Sequence, residues 1–202
     1  MNIKKITGIG LLTAVVIVLQ FLGAFIRFGP FSISLTLVPI IIGAAIYGVA
    51  AGAWLGFIFG VVVLINDSAL FLAVSPFGTV VTVLLKGVLC GLVSGLVYRF
   101  FSRWTILCRN EKKDKTSWTV NFGVVLAAIV CPVVNTGIFI LGCLIWFMPT
   151  ITAWGAGLGF ESGVRYLFLG MIGTNFLIEL GINFLLSAVI VKIIRFKTKE
   201  VI

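Results

Sequence analysis

Residues 98–115 read YRFFSRWTILCRNEKKDK and carry six basic side chains in a chain that is 61% hydrophobic. Two more basic groups lie at the ends of the chain: Lys4 and Lys5 at the start, and Lys192, Arg195, Lys197 and Lys199 near the finish. Basic residues that flank apolar spans stay on the cytoplasmic side of a membrane. The sequence therefore predicts a cytoplasmic basic loop at about 99–117, cytoplasmic N- and C-termini, and an even number of crossings in each half.

The composition predicts an all-α integral membrane protein. Only 10% of the residues are charged, which is too few for the surface of a soluble domain. Because one crossing needs about 20 apolar residues, the chain predicts a single domain, 1–202, folded as a compact bundle of six transmembrane helices. The predicted spans are 6–26, 33–47, 49–65, 77–98, 118–147 and 165–194. The net charge of +9 lies at span ends, which indicates contact with the lipid bilayer rather than with nucleic acid.

Breaks in the apolar pattern predict irregular segments. Pro39 lies inside the second predicted span and Pro132 inside the fifth, and a proline in a helix removes a backbone hydrogen bond. We therefore expect the second span to bend and the fifth to be interrupted. Residues 70–74 suggest a re-entrant or interfacial piece. The stretch 149–163 is rich in glycine and is typical of an external loop or lid.

Two predicted spans carry glycines at every fourth position. Such spacing produces a groove without side chains, which lets another backbone approach closely. We expect this feature to serve packing within a small bundle rather than dimerisation. The glycines concerned are Gly52, Gly56 and Gly60 in the third span, and Gly87, Gly91 and Gly95 in the fourth.

Lys86 and Glu179 are the charged residues that lie well inside predicted spans. A charge at that depth must face the protein interior and find a partner. The two side chains could pair with each other and join two helices, or they could contact a ligand. Asn175, Glu179 and Asn183 share one face of the sixth predicted helix because they are four residues apart.

Further polar and aromatic residues extend this pattern towards the external ends of the spans. A small-molecule site is typically apolar with a few placed polar groups. The candidate binding residues are Lys86, Asn135, Asn175, Glu179, Arg165, Asn66 and Trp154.

The sequence argues against catalysis. It contains no histidine, which removes the usual catalytic base and a common metal ligand. It has no glycine-rich loop ending in Lys-Ser or Lys-Thr, so the chain is not expected to hydrolyse ATP. The four cysteines show no metal-binding spacing. We expect no enzyme activity, no metal site and no cofactor.

The segment IGLLTAV at 9–15 resembles the first helix of the substrate-binding S components of energy-coupling factor (ECF) vitamin transporters. That family carries two alanines four residues apart on this helix, and Gly10 and Ala14 occupy the matching positions here. The runs LVPIIIG at 37–43, YG at 47–48 and GAWLG at 52–56 are also similar to the family's second and third helices.

This resemblance implies a high-affinity vitamin-binding subunit in the plasma membrane of a prokaryote. Its partners would be a transmembrane coupling subunit, which docks at Gly10 and Ala14, and two ATPase subunits. In that family the S component is thought to topple in the membrane and carry its ligand from outside to inside.

The stretches PFGT at 76–79, LLKG at 84–87 and PVVNT at 132–136 resemble members of the pantothenate type. In that case Lys86 or Arg165 would bind the carboxylate of pantothenate, and Asn135 and Asn175 would contact the rest. Riboflavin is the second choice, and cobalamin and queuosine-type ligands remain open. Two other classes stay open: a solitary ion-coupled carrier that uses Glu179 and Lys86, and an assembly protein whose glycine faces bind only partner helices.

Overall fold

The computed structural model describes residues 3–25, 27–28, 31–32, 34–107 and 113–199. These residues are almost entirely helical, with one short antiparallel hairpin between strands β1 (Arg27–Phe28) and β2 (Phe31–Ser32). The α-helices are α1 (Ile3–Gly23), α2 (Leu37–Tyr47), α3 (Val49–Asn66), α4 (Ala69–Val74), α5 (Pro76–Leu107), α6 (Lys113–Gly142), α7 (Met148–Gly157), α8 (Gly163–Arg165) and α9 (Gly173–Lys199). Two π-helical segments, Cys143–Phe147 and Tyr166–Ile172, lie between α6 and α7 and between α8 and α9.

The structure confirms a helical chain with several membrane-spanning candidates. Within the described ranges, five helical stretches are long and apolar enough to cross a membrane: Ile3–Gly23, Val49–Asn66, Pro76–Arg103, Asn121–Gly157 and Gly163–Ile194. The second predicted span corresponds to α2, which has 11 residues and falls short of the roughly 20 that a crossing needs. The six-crossing bundle and the cytoplasmic position of the termini stay predictions.

Helix α2 begins at Leu37 rather than at 33, and residue 33 lies outside the described residues. Pro39 is thus the third residue of the helix. The first turn of a helix has no intrahelical partners for its N–H groups, so a proline there removes no hydrogen bond. The bend expected at Pro39 is therefore wrong, because its premise placed the proline in mid-helix.

Three further expectations of irregular structure differ from the fold. Helix α6 runs through Pro132 without a break, and neighbouring helices can offset the hydrogen bond that such a proline removes. Most of the expected loop at 149–163 is helix α7, with its glycines inside or directly after a regular helix. Residues 99–107 continue α5 and 113–117 begin α6, while 108–112 lie outside the described residues.

Helices α3 and α5 pack backbone against backbone along their glycine repeats. A β-carbon added to Gly52 would lie 2.6 Å from the carbonyl oxygen of Gly91, and one added to Gly60 would lie 3.0 Å from that of Val83. Gly56 and Gly87 oppose each other in the same way. The prediction that these glycines serve packing within the bundle is confirmed.

Two apolar clusters form the core. The larger cluster joins α1, α2, α3, α5, α6 and α9 and includes Val16, Leu37, Phe59 and Val63. The smaller one gathers α4, α7 and both π-helical segments and includes Phe71 and Met171. The chain direction of the helices places the basic residues of α1, α5, α6 and α9 at one end of the bundle, which we call the basic end. The smaller cluster lies towards the opposite end.

Candidate functional site

A cavity opens between the two apolar clusters. Its volume, counted as the space that the centre of a water molecule can occupy, is about 60 Å³. Its wall is supplied by α1, α3, α5, α6, α9 and the π-helical segment Tyr166–Ile172. The lining residues are Gln20, Ser34, Val63, Asp67, Lys86, Asn135, Thr136, Phe139, Met171, Ile172, Asn175, Phe176 and Glu179. Most of these positions lie in the half of each helix remote from the basic end.

One wall of the cavity is a fixed polar chain. Gln20, which is 1% exposed, donates from Nε2 to Oδ2 of Asp67 at 3.0 Å. The hydroxyl of the buried Thr36 donates to Oε1 of Gln20 at 3.2 Å. The amide of Gln20 is thus satisfied on both sides, and it ties the end of α1 to the end of α3 and the start of α2.

Glu179 forms the opposite wall and is 2% exposed. Its Oε1 accepts the backbone N–H of Ser34 at 3.0 Å, and the side chain of Asn135 also hydrogen-bonds its carboxylate. Asn183, one turn further along α9, donates from Nδ2 to the carbonyl oxygen of Glu179 at 2.8 Å. These bonds hold a carboxylate in an apolar interior where an unbonded charge would be costly.

Two amide oxygens of the cavity lack protein partners. Oδ1 of Asn135 and Oδ1 of Asn175 are buried and accept no hydrogen bond from the described residues. A carboxylate can only accept when ionised, so the bond to Glu179 uses Nδ2 of Asn135 and leaves Oδ1 as the free group. A buried acceptor without a donor costs free energy. The cavity is therefore suited to a ligand that donates hydrogen bonds.

Lys86 supplies the positive charge of the cavity. Its ammonium nitrogen lies 5.2 Å from the ring centre of Phe139 and 5.8 Å from that of Phe59, both within the range of a cation–π contact. Glu179 faces the same cavity, but among the described residues no ion pair within 4.0 Å joins it to Lys86. The ammonium is thus held by ring faces, which leave its hydrogens available to another acceptor.

A second, smaller cavity of about 30 Å³, on the same measure, adjoins the first. The two share four lining residues: Val63, Asp67, Lys86 and Phe139. The rest of its wall is mostly apolar, with three hydroxyl side chains. Its other lining residues are Ser68, Phe71, Thr79, Thr82, Val83 and Phe147.

The structure brings four of the seven candidate binding residues to the main cavity: Lys86, Asn135, Asn175 and Glu179. The other three lie outside both cavities. Arg165 is exposed and pairs with Glu161 at 2.6 Å. Asn66 ends α3, and its buried Nδ2 has no hydrogen-bond partner among the described residues. Trp154 packs edge-on against Phe71 at 5.9 Å, in the smaller apolar cluster.

The two candidate docking residues are far from the cavity in sequence and lie on an open face. Gly10 and Ala14 are exposed on α1, together with Leu11 and Val18. A β-carbon at Gly10 would meet nothing within 4 Å. This face of α1 contacts no other part of the described chain at Gly10.

Several lining residues did not emerge from the sequence. Gln20 carried a usable signal, since an amide deep in an apolar span generally faces the protein interior. Ser34 carried none, because it uses its backbone N–H and lies in a segment between spans. The aromatic and thioether lining, Phe139, Met171 and Phe176, cannot be told from ordinary lipid-facing residues by composition.

Comparison with known proteins identifies one family. The family model of the ECF transporter substrate-specific component matches residues 4–191 of the chain. No match emerges among curated proteins or among solved structures. The matched region includes the docking face of α1 and every lining residue of both cavities. The chain therefore belongs to the family of substrate-specific components of ECF transporters.

Proposed function

We propose that this substrate-specific component binds pantothenate in the cavity between α1, α3, α5, α6 and α9. One observation carries the proposal: Lys86 presents an unpaired ammonium to the same cavity in which Asn135 and Asn175 present unpaired amide oxygens. A ligand that satisfies both must combine an anionic group with hydrogen-bond donors.

Pantothenate has this combination. Its carboxylate would accept a charge-assisted hydrogen bond from Lys86, which is stronger than a neutral one. Its two hydroxyls and its amide N–H would donate to Asn135, Asn175 and the carboxylate of Glu179. The exposed position of Arg165 and its pairing with Glu161 favour Lys86 over Arg165 as the carboxylate partner. Riboflavin offers donors too, but it has no carboxylate for Lys86 and its three-ring system is larger.

The proposed transport cycle follows from the two ends of the bundle. Positive residues mark the cytoplasmic side, so the cavity, remote from the basic end, would open to the outside and capture the vitamin there. The small exposed residues Gly10 and Ala14 would dock on the coupling subunit. Separate ATPase subunits would supply the energy, since the chain has no P-loop of its own.

The direct test is calorimetric titration of the purified chain with pantothenate, with riboflavin and cobalamin titrated in parallel. We expect saturable binding of one pantothenate per chain and no heat of binding from the other two. Binding of riboflavin or cobalamin in place of pantothenate, or of none of the three, would overturn the pantothenate assignment.

Reconstitution in liposomes separates this function from that of a solitary carrier. We expect the chain alone to accumulate no pantothenate under a proton or sodium gradient. Addition of the coupling and ATPase subunits should produce uptake that requires ATP. Gradient-driven uptake by the chain alone would instead assign Lys86 and Glu179 to ion coupling.

A further inference from the structure

Lys86 stands at the junction of the two cavities. It lines both, together with Val63, Asp67 and Phe139. A ligand held in the larger cavity can therefore extend past Lys86 into the smaller one. The ends of such a ligand would meet different surroundings, because the larger cavity is rich in amide and carboxylate groups and the smaller one is mostly apolar.

Thr82 lies one turn before Lys86 on α5, so the two side chains share a helix face. Thr82 is 4% exposed and lines the smaller cavity. Its hydroxyl makes no hydrogen bond within the part of the chain that the structure describes. The other two hydroxyls of this cavity are engaged: Thr79 donates to the carbonyl oxygen of Ser75 at 2.8 Å, and Ser68 to that of Val63 at 3.1 Å.

The size of the smaller cavity matches a single carboxylate. Since one water needs about 10–15 Å³ on this measure, the roughly 30 Å³ hold two or so atoms of water size. The remaining walls, Phe71, Val83 and Phe147, are apolar, and an electrostatic contact is stronger where water is excluded.

The shared wall contains a negative charge as well. Asp67 lines both cavities, and its Oδ2 accepts a hydrogen bond from Gln20. A ligand carboxylate would be repelled from Asp67 and attracted to the α5 face. The electrostatics thus direct an anion towards Lys86 and Thr82 rather than to the middle of the cavity.

We propose that the smaller cavity is the subsite for the carboxylate end of the substrate, with Thr82 and Lys86 as its two donors. The substrate class is then a carboxylic acid whose uncharged body carries hydroxyl or amide donors for Asn135, Asn175 and Glu179. This inference rests on the proposed function and adds the position of the acid group and Thr82 as a residue that selects for it.

The test compares two ligands on three variants by calorimetric titration. The ligands are pantothenate and pantothenyl alcohol, in which an uncharged alcohol replaces the carboxylate. Thr82→Val should weaken pantothenate binding about tenfold, the lower range for a hydrogen bond to a charged group, and change alcohol binding less than twofold. Thr82→Ser, which keeps the hydroxyl, should bind pantothenate within about threefold of the wild type.

Thr13→Val is the matched control. Its hydroxyl is bonded to the carbonyl oxygen of Ile9, and it lies outside both cavities, so neither affinity should change. If Thr82→Val weakens both ligands equally, or weakens neither, the subsite is wrong while pantothenate binding stands. If the wild-type chain binds no pantothenate, the proposed function fails and this inference fails with it. A thermal melt of each variant verifies folding, and Thr82→Ser decides the case if the valine variant does not fold.

Discussion

Gly56 on α3 and Gly87 on α5 lie directly opposite each other, so that a β-carbon on either would overlap the carbonyl oxygen of the other. This contact brings the two helix backbones together one residue away from Lys86. The depth at which Lys86 enters the bundle therefore depends on two residues that have no side chain.

We predict that Gly56→Ala or Gly87→Ala lowers the free energy of unfolding by about 1–3 kcal/mol, the usual cost of overpacking. The obstacle at each site is backbone, which cannot rotate away as a flexible side chain could. Gly137→Ala on α6 is the control, since a β-carbon there meets nothing within 4 Å. Thermal unfolding in detergent should show a lower Tm for the first two variants and an equal or higher Tm for the control.

We predict that Lys86→Met weakens pantothenate binding at least tenfold, because a charge-assisted hydrogen bond is lost. Methionine keeps most of the length and the apolar contacts with Phe59 and Phe139. Arg165→Met should leave affinity unchanged, since Arg165 is exposed and pairs with Glu161. A larger loss of affinity from Arg165→Met than from Lys86→Met, in titrations of folded protein, would contradict the assignment of the carboxylate to Lys86.

Asn175 and Gln20 should behave in opposite ways although both are amides of the same cavity. Oδ1 of Asn175 is buried without a partner, so Asn175→Leu should leave the free energy of unfolding unchanged or raise it by up to about 1 kcal/mol. It should also weaken ligand binding.

Gln20→Leu should destabilise the chain by about 1–3 kcal/mol, because Thr36 and Asp67 both lose a bonding partner. Thermal unfolding without ligand, followed by titration with pantothenate, measures both effects. A loss of stability in Asn175→Leu as large as that in Gln20→Leu would mean that Asn175 is structural.

Gly10→Leu and Ala14→Leu should abolish ATP-dependent uptake and leave pantothenate affinity intact. Both positions are exposed, and Gly10 has open space around it, so a larger side chain should not disturb folding. Gly181→Leu on α9 is the matched control, because Gly181 is also exposed and without neighbours within 4 Å; it should keep uptake. Loss of ligand affinity in either α1 variant would show that this face of α1 supports the cavity instead of docking.

Local chemistry in the sequence was enough to predict the helical class, the internal glycine packing and four residues that line the main cavity. Lys86, Asn135, Asn175 and Glu179 are detectable because polar groups deep in apolar spans are costly unless they face the protein interior. The same rule misplaced Arg165 and Asn66, since polar residues near span ends can be solvated and need not face inward.

The tertiary structure alone decided the rest. Pro132 stays inside a continuous helix and 149–163 is mostly helical, because packing against neighbouring helices overrides local propensity. The separation of Lys86 from Glu179, the bond from Ser34 to Glu179 and the smaller cavity beside Thr82 depend on how α2, α5 and α9 are set against one another. Those positions come from contacts between residues far apart in the chain, which no local pattern records. Thus the sequence by itself determined which groups must turn inward, and the packing of the helices decided which of them meet.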